Sequence, residues 1–307
     1  MRAFIFPGQG SQVVGMGRTL AEASAAARAT FQEVDDALSQ KLSALMIGGP
    51  QEELTLTANA QPAIMANAIA TLRASGIDLA AKAQFVAGHS LGEYSALCAA
   101  GAFDLATTAR LLKLRGTAMQ EAVPVGQGSM AALVGADLTI AQAVADAAAQ
   151  GEVCTVANDN DPTQVVISGH KGAIDRAVAI AKDHGAKRAI LLPVSAPFHS
   201  PLMAPAAHQM EQALADAEIA RPVVPLYANV SAAPVSDPAE IRRLLVAQVT
   251  SMVRWRESVA AMAGAGVTHF VEWGAKVLGP MVKRIAPDVR VTSVIAPDDI
   301  DALLGEI

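Results

Sequence analysis

The stretch QFVAGHSLGEYSALCAAG, Gln84 to Gly101, sets a strand, a sharp turn and a helix in immediate succession. Gln84–Ala87 reads as a buried strand, Glu93–Ala100 as a helix, and Gly101 as its end. Between them Gly88-His-Ser-Leu-Gly92 fits G-x-S-x-G, the pattern of a nucleophile elbow. The spacing has a steric reason. A serine presented at a strained turn needs neighbouring backbone to pass without a Cβ on either side, which glycine allows. The hydroxyl then stands at a helix N-terminus, whose dipole favours developing negative charge. A chance match arises roughly once in ten chains of this length, and the strand before and helix after make it rarer. Ser90 is therefore the candidate nucleophile.

Outward from this stretch, short apolar runs alternate with helical ones almost throughout. Ala3–Phe6 reads as another buried strand, closed by Pro7-Gly8. Such alternation predicts an α/β fold with a mostly parallel sheet under helices, and ligands at the carboxyl ends of the strands. One segment follows a different order. Met130–Val134, Val153–Ala157, Gln164–Ser168 and Arg188–Leu192 read as strands, with helices over Thr139–Ala149 and Ala173–Asp183. That β-α-β-β-α-β order is ferredoxin-like. It predicts a small domain, residues 126–194, inserted into a large domain made of residues 1–125 and 195–307.

The chain of 307 residues is 52% hydrophobic and 17% charged, enough apolar material for a sizeable core. A formal charge of −6 excludes general binding to nucleic acid or to an acidic membrane surface. Cys98 and Cys154 form neither a disulfide framework nor a metal-ligand cluster. No metal or redox cofactor is expected. With no export signal at Met1–Phe6 and no apolar run long enough to span a bilayer, the expected location is the cytoplasm.

A serine needs a base. His170 and His184 fall in the small domain at turn-like positions, His208 in a helical stretch, and His269 inside a strand. His89 belongs to the elbow and takes a supporting place beside the substrate. His199 differs, since it follows a strand in Ser195-Ala-Pro-Phe-His-Ser-Pro201, a loop stiffened by Pro197 and Pro201. A rigid loop at a strand end is where a catalytic base is held.

Two polar residues break apolar stripes. On the helix Leu105–Glu121, Arg115 aligns with Leu111, Leu112 and Met119. Either an internal carboxylate pairs with it, or its fork is left for a substrate carboxylate. Gln248 falls on the stripe of Ile241, Leu244, Leu245 and Met252, where a buried amide needs a partner. Near the start, Pro7-Gly-Gln-Gly-Ser-Gln12 lacks the spacing of a dinucleotide or phosphate loop. It is either a plain turn or a source of backbone N–H groups that, with the N–H of Leu91, form a two-donor oxyanion hole.

In ordered combination, Phe6-Pro-Gly-Gln-Gly-Ser-Gln12, Gly88-His-Ser-Leu-Gly-Glu93, Arg115-Gly116, Pro197-Phe-His199 and Gln248 ahead of Val253-Arg-Trp255 resemble the malonyl-CoA:acyl-carrier-protein transacylases of bacterial fatty acid synthesis and the acyltransferase domains of polyketide synthases. The resemblance covers essentially the whole chain. It implies an α/β-hydrolase-like large domain with a ferredoxin-like insert. It implies Ser90 as nucleophile and His199 as base, Gln9 and Leu91 as oxyanion donors, and Arg115 as malonyl clamp. A backbone carbonyl at Gln248 would orient the base in place of an acid such as Asp159, Asp161 or Asp175. Phe198 resembles the pattern of malonyl-selective members, its ring crowding an α-methyl group. The implied partners are malonyl-CoA and holo acyl carrier protein. Rival expectations are an acyltransferase for a polyketide-type assembly, a serine (thio)esterase, or a non-catalytic carrier-binding module. Asn158-Asp-Asn-Asp161 has no assigned role.

Overall fold

The protein is seen in a computed structural model that describes residues 1–194 and 196–307. Ser195, where the expected catalytic loop and the second part of the large domain begin, lies outside the described residues.

A six-stranded sheet forms the frame of the larger lobe. Its strands are β1 (Arg2–Phe6), β2 (Phe85–Gly88), β7 (Leu226–Ala228), β8 (Ala233–Val235), β9 (His269–Trp273) and β10 (Arg290–Val294), in the order β10-β9-β1-β2-β7-β8. All neighbours run parallel except β8, which turns back on β7. The central strand β1 explains why its sequence is apolar without alternation. Phe4 and Phe6 face one cluster, with the helices Thr57–Ser75 and Leu105–Glu121, while Ala3 and Ile5 face another built on Trp255, Val259 and Phe270. Both faces are covered, so both sets of side chains are apolar.

The second sheet is antiparallel, in the order β4-β5-β3-β6, where β3 is Gly128–Val134, β4 Cys154–Asp161, β5 Gln164–His170 and β6 Arg188–Leu191. The helices Leu138–Ala149 and Lys171–Ile180 cover one face, and their alanine-rich stripes pack against Leu133, Val165 and Ile167. This is the expected ferredoxin-like topology, and the α/β class with an inserted antiparallel unit is the observed fold.

Most element boundaries lie within a few residues of the sequence reading, and two of the differences have a plain physical reason. β4 does not stop at Ala157 but continues through Asn158–Asp161. Its polar end hides the strand pattern because these residues stay paired with β5, through two shifts of register, while their other edge and their side chains meet the larger lobe. Asn158 bridges Val253, the Asp159 N–H donates to the Val253 carbonyl at 2.9 Å, and the Val253 N–H donates to Ala157 at 2.8 Å. Asp159 and Asp161, both fully buried, pair with Arg256 at 2.7 Å and Arg284 at 2.8 Å. The segment without an assigned role is thus the strap between lobes. The last strand of this sheet, β6, ends at Leu191 rather than Leu192, shortly before Pro193, which cannot extend a ladder.

Candidate active site

The turn after β2 is as tight as G-x-S-x-G requires. Ser90 has φ 54°, in the left-handed region. A Cβ on Gly88 would lie 1.9 Å from the Gly92 carbonyl, and one on Gly92 would lie 2.3 Å from the Phe6 oxygen. Only glycine fits either place. Asn229 locks the turn from below: its Oδ1 accepts from the Ser90 N–H at 2.8 Å, and its Nδ2 donates to the Gly88 carbonyl at 2.7 Å.

Ser90 Oγ lies 2.8 Å from His199 Nε2. The other ring nitrogen, Nδ1, lies 2.9 Å from the Gln248 backbone carbonyl. A carbonyl only accepts, so Nδ1 carries the proton and Nε2 keeps its lone pair for the serine. His199 itself has φ 56°, a strained conformation fixed in a loop between two prolines. Burial, and then the neighbouring Arg115 charge, push its pKa down to about 3, so the ring is neutral at physiological pH. Asp159 and Asp161 are committed to the strap, and Asp175 pairs with Lys171 on the surface. No carboxylate contacts His199 among the described residues.

Arg115 is 1% exposed, with its guanidinium beside the serine. Nη1 donates to Gln61 Oε1 at 2.9 Å, and Nη2 to Gln248 Oε1 at 2.8 Å and to Ser90 Oγ at 3.2 Å. Its Nε is buried with no partner among the described residues, and the Tyr94 ring lies 5.8 Å from the guanidinium carbon. No carboxylate touches Arg115 among the described residues, so of the two readings left open by the sequence, the internal ion pair is absent. The fork is held by two amide oxygens and the Ser90 hydroxyl, with no carboxylate in contact.

A pocket of about 230 Å³ opens over these groups, with Gln9, Gln61, His89, Ser90, Arg115 and His199 supplying its polar wall. Met119, Met130, Leu192, Val194 and the buried Phe198 supply the apolar wall. The backbone N–H groups of Gln9 and Leu91 have no hydrogen-bond partner among the described residues. His89 points away from Ser90, with Nε2 2.8 Å from Asn160 Oδ1 at the strap and its ring edge-on to Trp255. The remaining histidines stand elsewhere. His170 Nδ1 accepts from the Val153 N–H, His269 meets Thr292, and His208 is exposed. The described residues contain no cluster of His, Cys, Asp and Glu placed to hold a metal ion.

Sequence reasoning missed Gln61, Asn229, Asn160 and Glu93 as parts of this network. Only Glu93 carried a signal, its place directly after the elbow. The assembly can deprotonate a serine, hold an oxyanion with backbone donors, and receive an acyl group that carries an anion.

The chain matches the acyl transferase domain family over residues 3–277. It is 45% identical to the malonyl CoA-acyl carrier protein transacylase of Bacillus subtilis (strain 168), over 97% of this chain and 95% of that protein. The transacylase of the same name from Escherichia coli (strain K12) is 43% identical over 98% of each. Among solved structures, the acyl-carrier-protein-S-malonyltransferase of Bartonella henselae superposes with a TM-score of 0.97 at 52% identity, covering 99% of this chain and 98% of that one. A malonyl-transacylase solved in complex with a type II PKS acyl-carrier protein superposes at 0.95 with 39% identity, covering 100% and 99%.

Proposed function

The chain belongs to the acyl transferase domain family, and from that premise we propose that it transfers a malonyl group from malonyl-CoA to the pantetheine thiol of acyl carrier protein through an ester on Ser90, supplying fatty acid synthesis. One observation carries the assignment of roles. Ser90 Oγ sits between a neutral imidazole at 2.8 Å and a guanidinium at 3.2 Å that has no carboxylate in contact.

In the first half-reaction His199 Nε2 takes the Ser90 proton as Oγ attacks the thioester carbonyl. The N–H groups of Gln9 and Leu91 receive the oxyanion; a donor of this kind is worth about 3 kcal/mol of barrier. The C–S bond breaks, His199 returns the proton to the CoA sulfur, and malonyl stays on Ser90. The carrier thiol then gives its proton to His199 and attacks the ester, reversing the sequence. Arg115 holds the malonyl carboxylate throughout, by N–H groups that Gln61 and Gln248 leave free. His89 and Phe198 border the acyl group, and the Phe198 ring favours malonyl over methylmalonyl. The Gln248 carbonyl does what an acid does in a triad, fixing the tautomer without adding a charge beside the substrate anion. Residues 1–125 and 195–307 are the catalytic lobe and 126–194 the insert, a division supported by the second sheet lying wholly within 128–191. The enzyme works in the cytoplasm, with its two soluble substrates. No helix among the described residues is long and apolar enough to cross a membrane.

Intact-mass analysis after brief mixing with malonyl-CoA or acetyl-CoA tests this reading. A malonyl adduct is expected on the wild type, none on Ser90→Ala, and loss or replacement by acetyl on Arg115→Ala. Release of free malonate without an adduct or an acceptor thiol would make the protein a hydrolase instead.

A further inference from the structure

Gln248 is the hub of the site, and what fixes its amide lies outside the pocket. Its Nε2 faces three acceptors: the Ser90 carbonyl at 3.0 Å, Asn229 Oδ1 at 3.4 Å and Glu93 Oε2. Its Oε1 faces one donor, Arg115 Nη2. Of these neighbours, Glu93 alone is a carboxyl. It stands in the first turn of the helix Gly92–Ala99, is 1% exposed, and takes part in no ion pair among the described residues. It is not part of the pocket wall. Its hydrogen-bond donors are the Gln248 amide and the Asn229 backbone N–H.

We propose that Glu93 is a positioning residue for acyl selectivity: its carboxylate fixes the Gln248 amide with the oxygen toward Arg115, and thereby holds the guanidinium beside Ser90 for an acyl group that carries its own carboxylate. The assignment rests on the acyl-transfer reading above. A buried carboxyl without a cation in contact is expensive, and a glutamine would fill the space at less cost. What glutamine cannot supply is an acceptor-only group. An ionised carboxylate repels an amide oxygen, so it admits one orientation of Gln248, and that orientation presents an acceptor to Arg115. The opposite orientation would set Nε2 against the guanidinium and the oxygen against three acceptors. Distance from the cation matters as well. A carboxylate in direct contact with Arg115 would occupy the fork and exclude the substrate anion. Placed one amide away, it aims the fork and leaves it open.

The test compares Glu93→Gln with wild type in three single-turnover measurements: malonylation of Ser90 by malonyl-CoA, acetylation by acetyl-CoA, and inactivation by a neutral sulfonyl fluoride. Glu93→Gln keeps the volume but places a second N–H donor against the Asn229 N–H or Gln248 Nε2. Malonylation is expected to fall by about tenfold or more, the scale of one lost charge-assisted hydrogen bond, with acetylation and inactivation within about threefold of wild type. Because Glu93 acts through Gln248, Gln248→Met should lower the malonyl:acetyl ratio likewise, and the double variant should match Gln248→Met within about twofold. Should Glu93→Gln fail to fold, Glu93→Asp replaces it, keeping the charge but withdrawing it from Gln248, with the same expected ratio. An unchanged ratio, an equal loss in all three measurements, or multiplying effects in the double variant would overturn the assignment. Absence of malonyl-serine on the wild type would overturn the acyl-transfer reading itself, which separates the two failures.

Discussion

Two buried groups within one site are displaced in opposite directions, both by burial. Burial and the Arg115 charge hold His199 near 3, while burial raises Glu93 to about 7 against the hydrogen bonds and positive charge that lower it. Their contributions to stability have opposite signs. The His199 contribution is present above its ordinary 6.5 and is lost as pH falls through about 3; the Glu93 contribution is present below its ordinary 4.5 and is lost as pH rises through about 7. For chemistry, the consequence is that the base does not need to lose a proton before it acts. Inactivation of Ser90 by a neutral sulfonyl fluoride, which makes no use of Arg115 as a clamp, should show no histidine inflection between about pH 5.5 and pH 8. A fall with apparent pKa near 6.5 would mean that His199 titrates as an ordinary histidine and that the site is more hydrated than its 4% exposure indicates. At this scale, what the sequence could disclose was whatever broke a local rule. Ser90 sits in a glycine-framed turn, His199 between prolines, Arg115 on an apolar stripe. Gln61 and Asn229 break no such rule. They acquire their roles by meeting partners 54 and 139 positions away, and no periodicity carries that information.

Elements place these residues by close backbone approach more than by side-chain packing. The end of β1, the end of β2 and the start of the helix Gly92–Ala99 meet with no room for a methyl group, since the Gly92 Cα faces the Phe6 carbonyl directly. That contact fixes the elbow against the loop that carries Gln9, and so sets the separation of the two N–H groups assigned to the oxyanion. Gly92→Ala must push apart backbone, which yields less than a side chain does. The expected cost is about 3 kcal/mol or more, at the upper end for overpacked sites, measured by urea denaturation. A loss below about 1 kcal/mol would mean the elbow is looser than the contact distances imply. The parallel core and the βαββαβ insert were legible because apolar runs and glycine or proline breaks mark them. The far end of β4 was not. Its Asn-Asp-Asn-Asp sequence reads as loop when strand pairing is judged by hydrophobic pattern, because its partners are polar groups of the other lobe, arginines for Asp159 and Asp161 and His89 for Asn160, rather than a shared core.

At the scale of the whole molecule, the pocket exists only while the two sheets keep their separation. Gln9, Ser90 and Arg115 come from the larger lobe, Met130 and Asn158 from the β4-β5-β3-β6 sheet. The strap at Asn158–Asp161 sets the separation, and its Asn160 also holds His89. Arg256 is the exposed half of the pair with Asp159; its side chain is 32% exposed and that of Asp159 0%. Burial raises the Asp159 pKa and the hydrogen bonds and charge of Arg256 lower it, so the carboxylate depends on the guanidinium to stay ionised in the interior. Arg256→Ala leaves that carboxyl buried and without its cation. The expected loss is about 2–3 kcal/mol, below the full value for a buried pair because Arg256 is partly solvated, read from thermal or urea unfolding. The kinetic expectation differs from that for Glu93. Arg115, Gln61, Gln248 and Glu93 all belong to the larger lobe, so a shifted small sheet widens the pocket without turning the clamp. Malonylation and acetylation of Ser90 should slow together, with their ratio unchanged. A changed ratio would show that selectivity is set across the two lobes, and an unchanged stability would show that the strap is held by its backbone bridge to Val253 and not by the ion pair.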